Sequence, residues 1–545
     1  MSERPAARAA LGVTSFLVLP AFAFWFAFTA GQRGFYPFDQ SIVFDGGYRV
    51  LSGQVPYSDF VFPFGPVAFW LQALFFRLFG VSYFGYLMGA AVINAAATLC
   101  AVSVVRQLLP RSRLLPLASG LLTAVWFYPP FGTPWVDQTG FFFGLLGLVA
   151  VIWAVVRTDA PSRRVLAIIG SGSLAFLTFI SKQNVGAFIF LLYPLIIAVA
   201  HWREARRMLQ GLLLFTLGFA GSLGIFVVWL YLESDCATFI RYFFEIPSAL
   251  GSERLAALVG SWFGLLRPFF GGRGPLVVNV VIWVSLAGSV YALARLSARK
   301  QSQVQASLRV RLASTVCIYL ILFQHVFMYT TLNQPENALG FFGIIFGLAG
   351  GLLLGNLNER RGLRWALKVG IAAALVLASI AGIRTSMNRK VQDILSGATY
   401  DRPVPIEKMR HLRWAHPTRM GSFDISEQSI VDLYTYLAQR RENFFIFPDF
   451  TIFYGLLERP SPQPVLWFHE GVTYARASTD ELDERIVRDI EANGVRILVL
   501  EQVSWFNTGE RLNDFPRMKS YIMRNFAKVG QIETFSLYEK VSDGR

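Results

Sequence analysis

Residues 208–232 read MLQGLLLFTLGFAGSLGIFVVWLYL, a run without a single charged side chain. A helix of about 20 apolar residues crosses the hydrocarbon core of a bilayer. This stretch therefore reads as a membrane-spanning helix, and its neighbours repeat the pattern. Comparable windows lie at 9–32, 78–105, 114–136, 138–156, 165–181, 183–202, 274–294, 312–335, 337–358 and 369–383. The expectation is an α-helical polytopic membrane protein with about eleven spans. The last window reaches spanning length only if Arg364 and Lys368 snorkel to the surface. The first is too long for a signal-peptide core and shows no clear small-residue cleavage site before Gly31, so it reads as an anchor. Composition agrees: 54% of the 545 residues are hydrophobic and 15% aromatic, with a mean hydropathy of +0.46.

The net charge of +15 does not point to nucleic acid, because of where it sits. From residue 384 onward, 22 Lys and Arg balance 22 Asp and Glu. The excess lies in residues 1–383, with 28 basic against 13 acidic residues. Alternate loops carry it. The segments 1–8, 106–113, 157–164, 203–207, 295–311 and 360–368 hold 20 Lys and Arg. The segments 32–82, 129–137, 181–184, 233–275 and 332–338 hold 8. Basic loops stay cytoplasmic. The amino terminus is thus expected inside, and the second set of loops and the carboxyl-terminal tail outside, in a multi-pass protein of the plasma (inner) membrane. The three cysteines, Cys100, Cys236 and Cys317, are scattered and form neither a disulfide framework nor a zinc motif.

The chain divides at about residue 383 into a transmembrane part (1–383) and a soluble tail (384–545). Within the outer loops, the apolar stretch after Pro63 and Pro66, broken by Arg77, is short for a span and reads as an interfacial helix, as do parts of 233–275. In the tail, NFFIFPDF (443–450), PVLWF (464–468), VRILVLEQ (495–502) and FSLYEK (535–540) read as strands. TIFYGLLE, STDELDERIVRDIEANG (478–494) and RLNDFPRMKSYIMRNF read as helices. Ser478 or Thr479 caps the second of these at its start and Gly494 at its end. This alternation predicts a small α/β domain. It lacks both GxGxxG and a P-loop, so nothing points to nucleotide binding.

The outer loops concentrate the residues able to do chemistry. FDQSIVFDGGYRVLSGQVPYSDF (38–60) carries Asp39, Asp45, Asp59 and Arg49. Asp45 and Arg49 are four apart, which an ion pair on one helix face explains. A shaped acidic segment beside the membrane is also where a carboxylate can act as a general base. Lys182, in SKQNVG, suits either a snorkelling lysine or a phosphate contact at headgroup depth. Asp137 and the pair Glu336 and Asn337 sit at outer helix starts, where helix-dipole capping accounts for them. His325 lies within a span and reads as a satisfied interior histidine. Together these groups suit a substrate that is half lipid and half polar.

Asp39, then RVLSGQVPYSDF, then a proline-containing turn and a short apolar helix ending LFG, resembles the first extracytoplasmic loop of GT-C superfamily glycosyltransferases, and most of all glycosyltransferase family 39. Asp39 falls at the family's first acidic position, and Asp59 matches the aspartate of its Pro-Tyr-x-Asp element. Lys182 resembles a lysine placed after a short span. The family's second acid is Gln40 here, and FGP at 64–66 replaces the usual double proline. The resemblance implies an enzyme that moves a sugar from a polyprenyl-phosphate donor to a lipid, glycan or protein acceptor at the outer face, with inversion. Asp39 is its general base. Lys182 steadies the phosphate, helped by Arg49 or Arg241, and a divalent cation is left open as cofactor. Two other classes stay open beside it: a transporter or flippase of lipid-linked saccharides, and a non-catalytic envelope assembly protein.

Overall fold

The computed structural model describes residues 17–541 except 36, 158–159, 260–275, 299–303, 332–334, 357–360, 389–398, 417–418, 421–422, 476–478 and 503–507. Among the described residues, fifteen α-helices precede the tail: α1 (Leu19–Gly31), α2 (Pro37–Leu51), α3 (Val67–Phe79), α4 (Tyr83–Leu108), α5 (Leu114–Trp126), α6 (Val136–Val156), α7 (Pro161–Phe179), α8 (Gln183–His201), α9 (Ala205–Glu233), α10 (Cys236–Ile240), α11 (Ile246–Val259), α12 (Leu276–Ala298), α13 (Val304–Thr331), α14 (Phe342–Asn356) and α15 (Arg361–Asn388). Among the described residues, eight segments are long and apolar enough to cross a membrane. These are α4, α6, α8, α9, most of α12, α13 and α15, and Ala338–Gly355, which ends in α14.

The expected eleven spans are therefore corrected to eight candidates, and each shortfall has a cause. The described part of the first window, α1, is 13 residues long, and residues 9–16 lie outside the described residues. In the third window, α5 stops at Trp126 after 13 residues, a rise of about 20 Å. The chain then continues to Trp135 as buried irregular backbone. Such backbone is tolerated at membrane depth only where protein encloses it. The fifth window, α7, has 19 residues but opens with Arg163 and Arg164 and is too polar. Conversely, the window 369–383 belongs to a 28-residue helix, α15. Of the interfacial helices expected in 233–275, α10 and α11 are present, and residues 260–275 lie outside the described residues.

α7 runs back along α6 and returns the chain to the face from which α6 starts, because Lys182 Nζ lies 3.4 Å from Asp137 Oδ1. The same face gathers the loop that carries Asp39, Asp45 and Asp59, the start of α6 with Asp137, and the segment 233–259. Gln183 Nε2 donates to the carbonyls of Pro63 at 2.7 Å and Phe243 at 2.8 Å. Asn184 Nδ2 reaches Thr330 Oγ1 at 3.2 Å, and Arg254 Nη1 reaches the Thr330 carbonyl at 3.0 Å.

The tail caps this face. It holds strands β1 (Thr399–Pro403), β2 (Arg413–His416), β3 (Arg419–Met420), β4 (Phe423–Asp424), β5 (Asn443–Phe447), β6 (Val495–Glu501), β7 (Phe526–Ile532) and β8 (Phe535–Lys540). Its helices are α16 (Glu427–Ala438), α17 (Ile452–Leu457), α18 (Asp480–Ala492), α19 (Thr508–Arg511) and α20 (Pro516–Asn525). The main sheet has the order β5-β6-β8-β7, with β5 and β6 parallel and the other pairs antiparallel. Gly494, at φ 56°, ends α18 in the left-handed conformation that favours glycine. Three details differ from the sequence reading. RLNDFPRMKSYIMRNF is not one helix, because α20 starts afresh at Pro516 and ends before Phe526. Residues 464–468 form an isolated bridge, Val61 to Val465, instead of a strand, because their partner is the membrane-side loop and not the sheet. FAKVGQI (526–532) is a strand, β7, whose exposed face hides its period. One continuous apolar core joins the tail to the loop: Phe44, Phe62 and Phe69 belong to the same cluster as Phe447, Phe453 and Phe468.

Candidate functional site

α2 begins at Pro37, whose missing N–H costs nothing in the first turn, and places Asp39 in that turn. Gly46 and Gly47 bring α2 hard against α3. A Cβ on Gly46 would lie 2.4 Å from the Phe69 ring, and one on Gly47 2.6 Å from Gln72. Gln40, which stands where the resemblance has a second acid, is buried and donates to the Phe131 carbonyl at 3.0 Å. It ties the start of α2 to the irregular 127–135 segment.

Asp39, Asp137 and Lys182 come together. Asp39 is half-buried. Burial first, then the negative charges of Asp137 and Asp449, push its carboxyl up to about 7, against the opposing pull of Lys182. Asp137 is fully buried at the first turn of α6 and holds the ammonium of Lys182, which is 22% exposed. Lys182 precedes α8, and its Nζ stands 6.0 Å from the centre of the Phe64 ring. An ionisable base and a tethered, partly exposed cation thus share one recess, where the bundle meets the tail.

The other four residues singled out from sequence have partners elsewhere. Arg49 Nε bonds Asp45 Oδ2 at 2.9 Å, and both side chains are buried. Arg49 also donates to Ser461 Oγ and, at 2.6 Å, to the Gln463 carbonyl, so the pair fastens α2 to the tail. Burial pushes the Asp45 carboxyl up to about 6, with Arg49 opposing. Asp59 is exposed, and its Oδ2 accepts from the Val55 N–H at 2.6 Å, closing the turn. Arg241 pairs with Glu481 of α18. His325 is buried within α13. The side chains of Glu336 and Asn337 lie outside the described residues. Among the described residues, no three His, Cys, Asp or Glu side chains converge closely enough to hold a metal ion.

Sequence reasoning missed a second group of charges, supplied by the tail. Asp449 follows β5, Glu501 closes β6, and Arg511 ends α19 with its Nη1 3.3 Å from Asp449 Oδ2. All three are buried. Burial drives the Asp449 and Glu501 carboxyls upward, and Arg511 opposes it at both. The available signal was an acid at the carboxyl end of each of two apolar strands. Its meaning depends on those strands being parallel neighbours, which the sequence does not state.

Among solved structures, the chain is similar to ArnT from Cupriavidus metallidurans in the apo state, with a TM-score of 0.53 and 11% identity over 98% of this chain and 99% of that one. It is similar to the same protein bound to undecaprenyl phosphate, with a TM-score of 0.52 and 13% identity over 97% and 99%. The Archaeoglobus fulgidus oligosaccharyltransferase in complex with Zn and sulfate gives 0.52 and 12% over 96% and 73%. At these identities the likeness is one of fold alone, shared with both of these proteins. The sequence matches no protein-family profile and no curated protein.

Proposed function

We propose that the protein is an integral membrane glycosyltransferase that moves a sugar from a polyprenyl-phosphate carrier to a hydroxyl-bearing acceptor on the outer face of the membrane. The single observation that carries this reading is the recess in which Asp39, with its carboxyl pushed up to about 7, faces the Asp137-tethered cation of Lys182. A base of that acidity works best near neutral pH. The shared fold supports the same reading, since a relative of that fold binds undecaprenyl phosphate. The loop pattern around Asp39 and Asp59 favours family 39 within that fold.

The reaction follows from the groups present. The acceptor hydroxyl oxygen attacks the anomeric carbon as its proton passes to Asp39. The bond from that carbon to the phosphate oxygen breaks, and its electron pair leaves on the phosphate. Lys182 neutralises the charge that develops there, which makes the lipid phosphate a workable leaving group. One displacement inverts the anomeric centre, with no covalent intermediate on the protein. Asp137 keeps the ammonium in place. Asp45, Arg49, Asp59 and Arg241 shape the loop and its junction with the tail, and contribute to substrate binding by holding the recess together.

The test is release of polyprenyl phosphate from a polyprenyl-phosphate sugar by the purified full-length protein in detergent. Wild type should release it. Asp39→Asn should lower release by at least two orders of magnitude, the scale of a lost general base, while expression and membrane insertion stay normal. No release by wild type with any sugar would favour a transporter, and full activity of Asp39→Asn would remove the base.

A further inference from the structure

Asp449 and Glu501 stand side by side at the carboxyl ends of the parallel pair β5 and β6, where Phe447 registers with Leu500. In sheets with parallel strands, ligands bind at that edge. Here the edge is rigid. Glu501 Oε1 accepts from the backbone N–H groups of Asp449 at 2.7 Å and Phe450 at 2.6 Å. Arg511 holds Asp449 Oδ2. The second oxygen, Asp449 Oδ1, is buried and has no hydrogen-bond partner among the described residues, on a side chain only 4% exposed. A buried acceptor left without a donor is costly, so such an atom in a locked turn implies a donor that arrives from outside.

The turn lies close to the membrane-side recess. Directly after it, α17 packs on α2, with Gly455 against Phe44 and Tyr48. The Asp449 charge is close enough to act on Asp39. On its other side the loop 467–474 brings His469 within reach of the charges of Arg511 and Arg254. Groups from the bundle and Asp449 from the tail therefore lie close together here, and Asp449 carries one unsatisfied carboxylate oxygen.

We propose that Asp449 is a saccharide-binding residue, its Oδ1 accepting a hydrogen bond from a sugar-ring hydroxyl in the recess beside Asp39. The assignment rests on the glycosyl-transfer reading for the identity of the ligand. The hydroxyl belongs either to the sugar of the lipid donor or to a sugar on the acceptor, and binding measurements separate the two.

Full-length protein is titrated with undecaprenyl phosphate and, separately, with undecaprenyl-phosphate-linked glucose, mannose, galactose and arabinose. If Asp449 holds the donor sugar, Asp449→Ala weakens binding of the preferred sugar-lipid by about tenfold or more, the value of one hydrogen bond to a carboxylate. Binding of bare undecaprenyl phosphate stays unchanged. If it holds the acceptor, both affinities stay unchanged, and transfer of labelled sugar into glycans of isolated envelope membranes falls by a similar factor. Wild-type behaviour in every arm, or equal loss for bare and sugar-bearing lipid, overturns the proposal. Should Asp449→Ala not fold, Asp449→Asn is read in the same arms. Wild type that shows no phosphate release, while the variant still loses sugar-lipid binding selectively, would sink the transfer reading and leave this assignment standing.

Discussion

Asp39 and its neighbours make a pH-dependence that can be signed. As a base with its carboxyl pushed up to about 7, Asp39 is protonated and idle below that pH, so the rate should climb as pH rises through about 7. Asp137→Asn removes a negative charge that raises Asp39 and frees Lys182, which lowers it. Both changes favour the ionised form, so the rising limb of the pH–rate profile should move to lower pH even though the rate itself falls. A limb that stays put would show that Asp137 does not act on the base. Arg49 predicts the opposite kind of effect. Arg49→Met leaves Asp45 buried without its partner and strips donors from Ser461 and the Gln463 carbonyl. Breaking a buried pair from one side costs about 3–5 kcal/mol. A lower melting temperature, partly restored by adding Asp45→Asn, would show it. At this scale the sequence was informative where residue type and loop position suffice: Asp39, Asp137 and Lys182 were singled out, and the structure joins them. It was silent on Asp449, 410 positions from Asp39 in the chain, because nothing local marks an acid after a strand as a neighbour of a distant recess.

The element that positions the recess is the loop between α2 and α3. Tyr57, at φ 67°, donates its hydroxyl to the Phe64 carbonyl and folds the loop on itself. Val61 then exchanges backbone hydrogen bonds with the tail: its N–H donates to Pro464 at 2.9 Å, and its carbonyl accepts from Leu466 at 3.3 Å. Gly65 lies so close to the end of α7 that a Cβ would fall 1.5 Å from the Ile180 carbonyl oxygen. Backbone on backbone cannot give way as a flexible side chain can. Gly65→Ala should therefore lift the loop, part Phe64 from Lys182 and Pro63 from Gln183, and abolish activity. Limited proteolysis should find a newly accessible site within 54–66. Wild-type activity and protection would show that the contact relaxes cheaply. Helix length explains what was legible among the elements. Uniformly apolar runs of spanning length, such as α9, declare themselves. The window 114–136, read by apolar content alone, hid that its helix stops at Trp126, although Pro129, Pro130 and Pro134 break the backbone that follows. β7 was hidden for the converse reason, since a strand exposed on one face and short of apolar residues carries no alternation.

At the scale of the whole molecule, the tail and the acid-bearing loops share one apolar core, so they must lie on the same side of the membrane. The charge bias of the remaining loops predicts that this side is the outer one. Ser52 and Ser520 are exposed on the loop and the tail, and Arg207 is exposed at the opposite end of the bundle. Cys100 and Cys317 are buried and Cys236 is half-buried, so replacing Cys236 by Ser gives a background with little reactive thiol. In that background a membrane-impermeant maleimide applied to intact cells should label Ser52→Cys and Ser520→Cys. It should label Arg207→Cys only after permeabilisation. The mechanism depends on this result, because a donor lipid presented at the outer leaflet meets Lys182 only if that face is outward. Labelling of Arg207→Cys alone in intact cells would turn the recess toward the cytoplasm and leave an outer-face transfer without a site. Labelling of Ser52→Cys without Ser520→Cys would contradict the shared core itself.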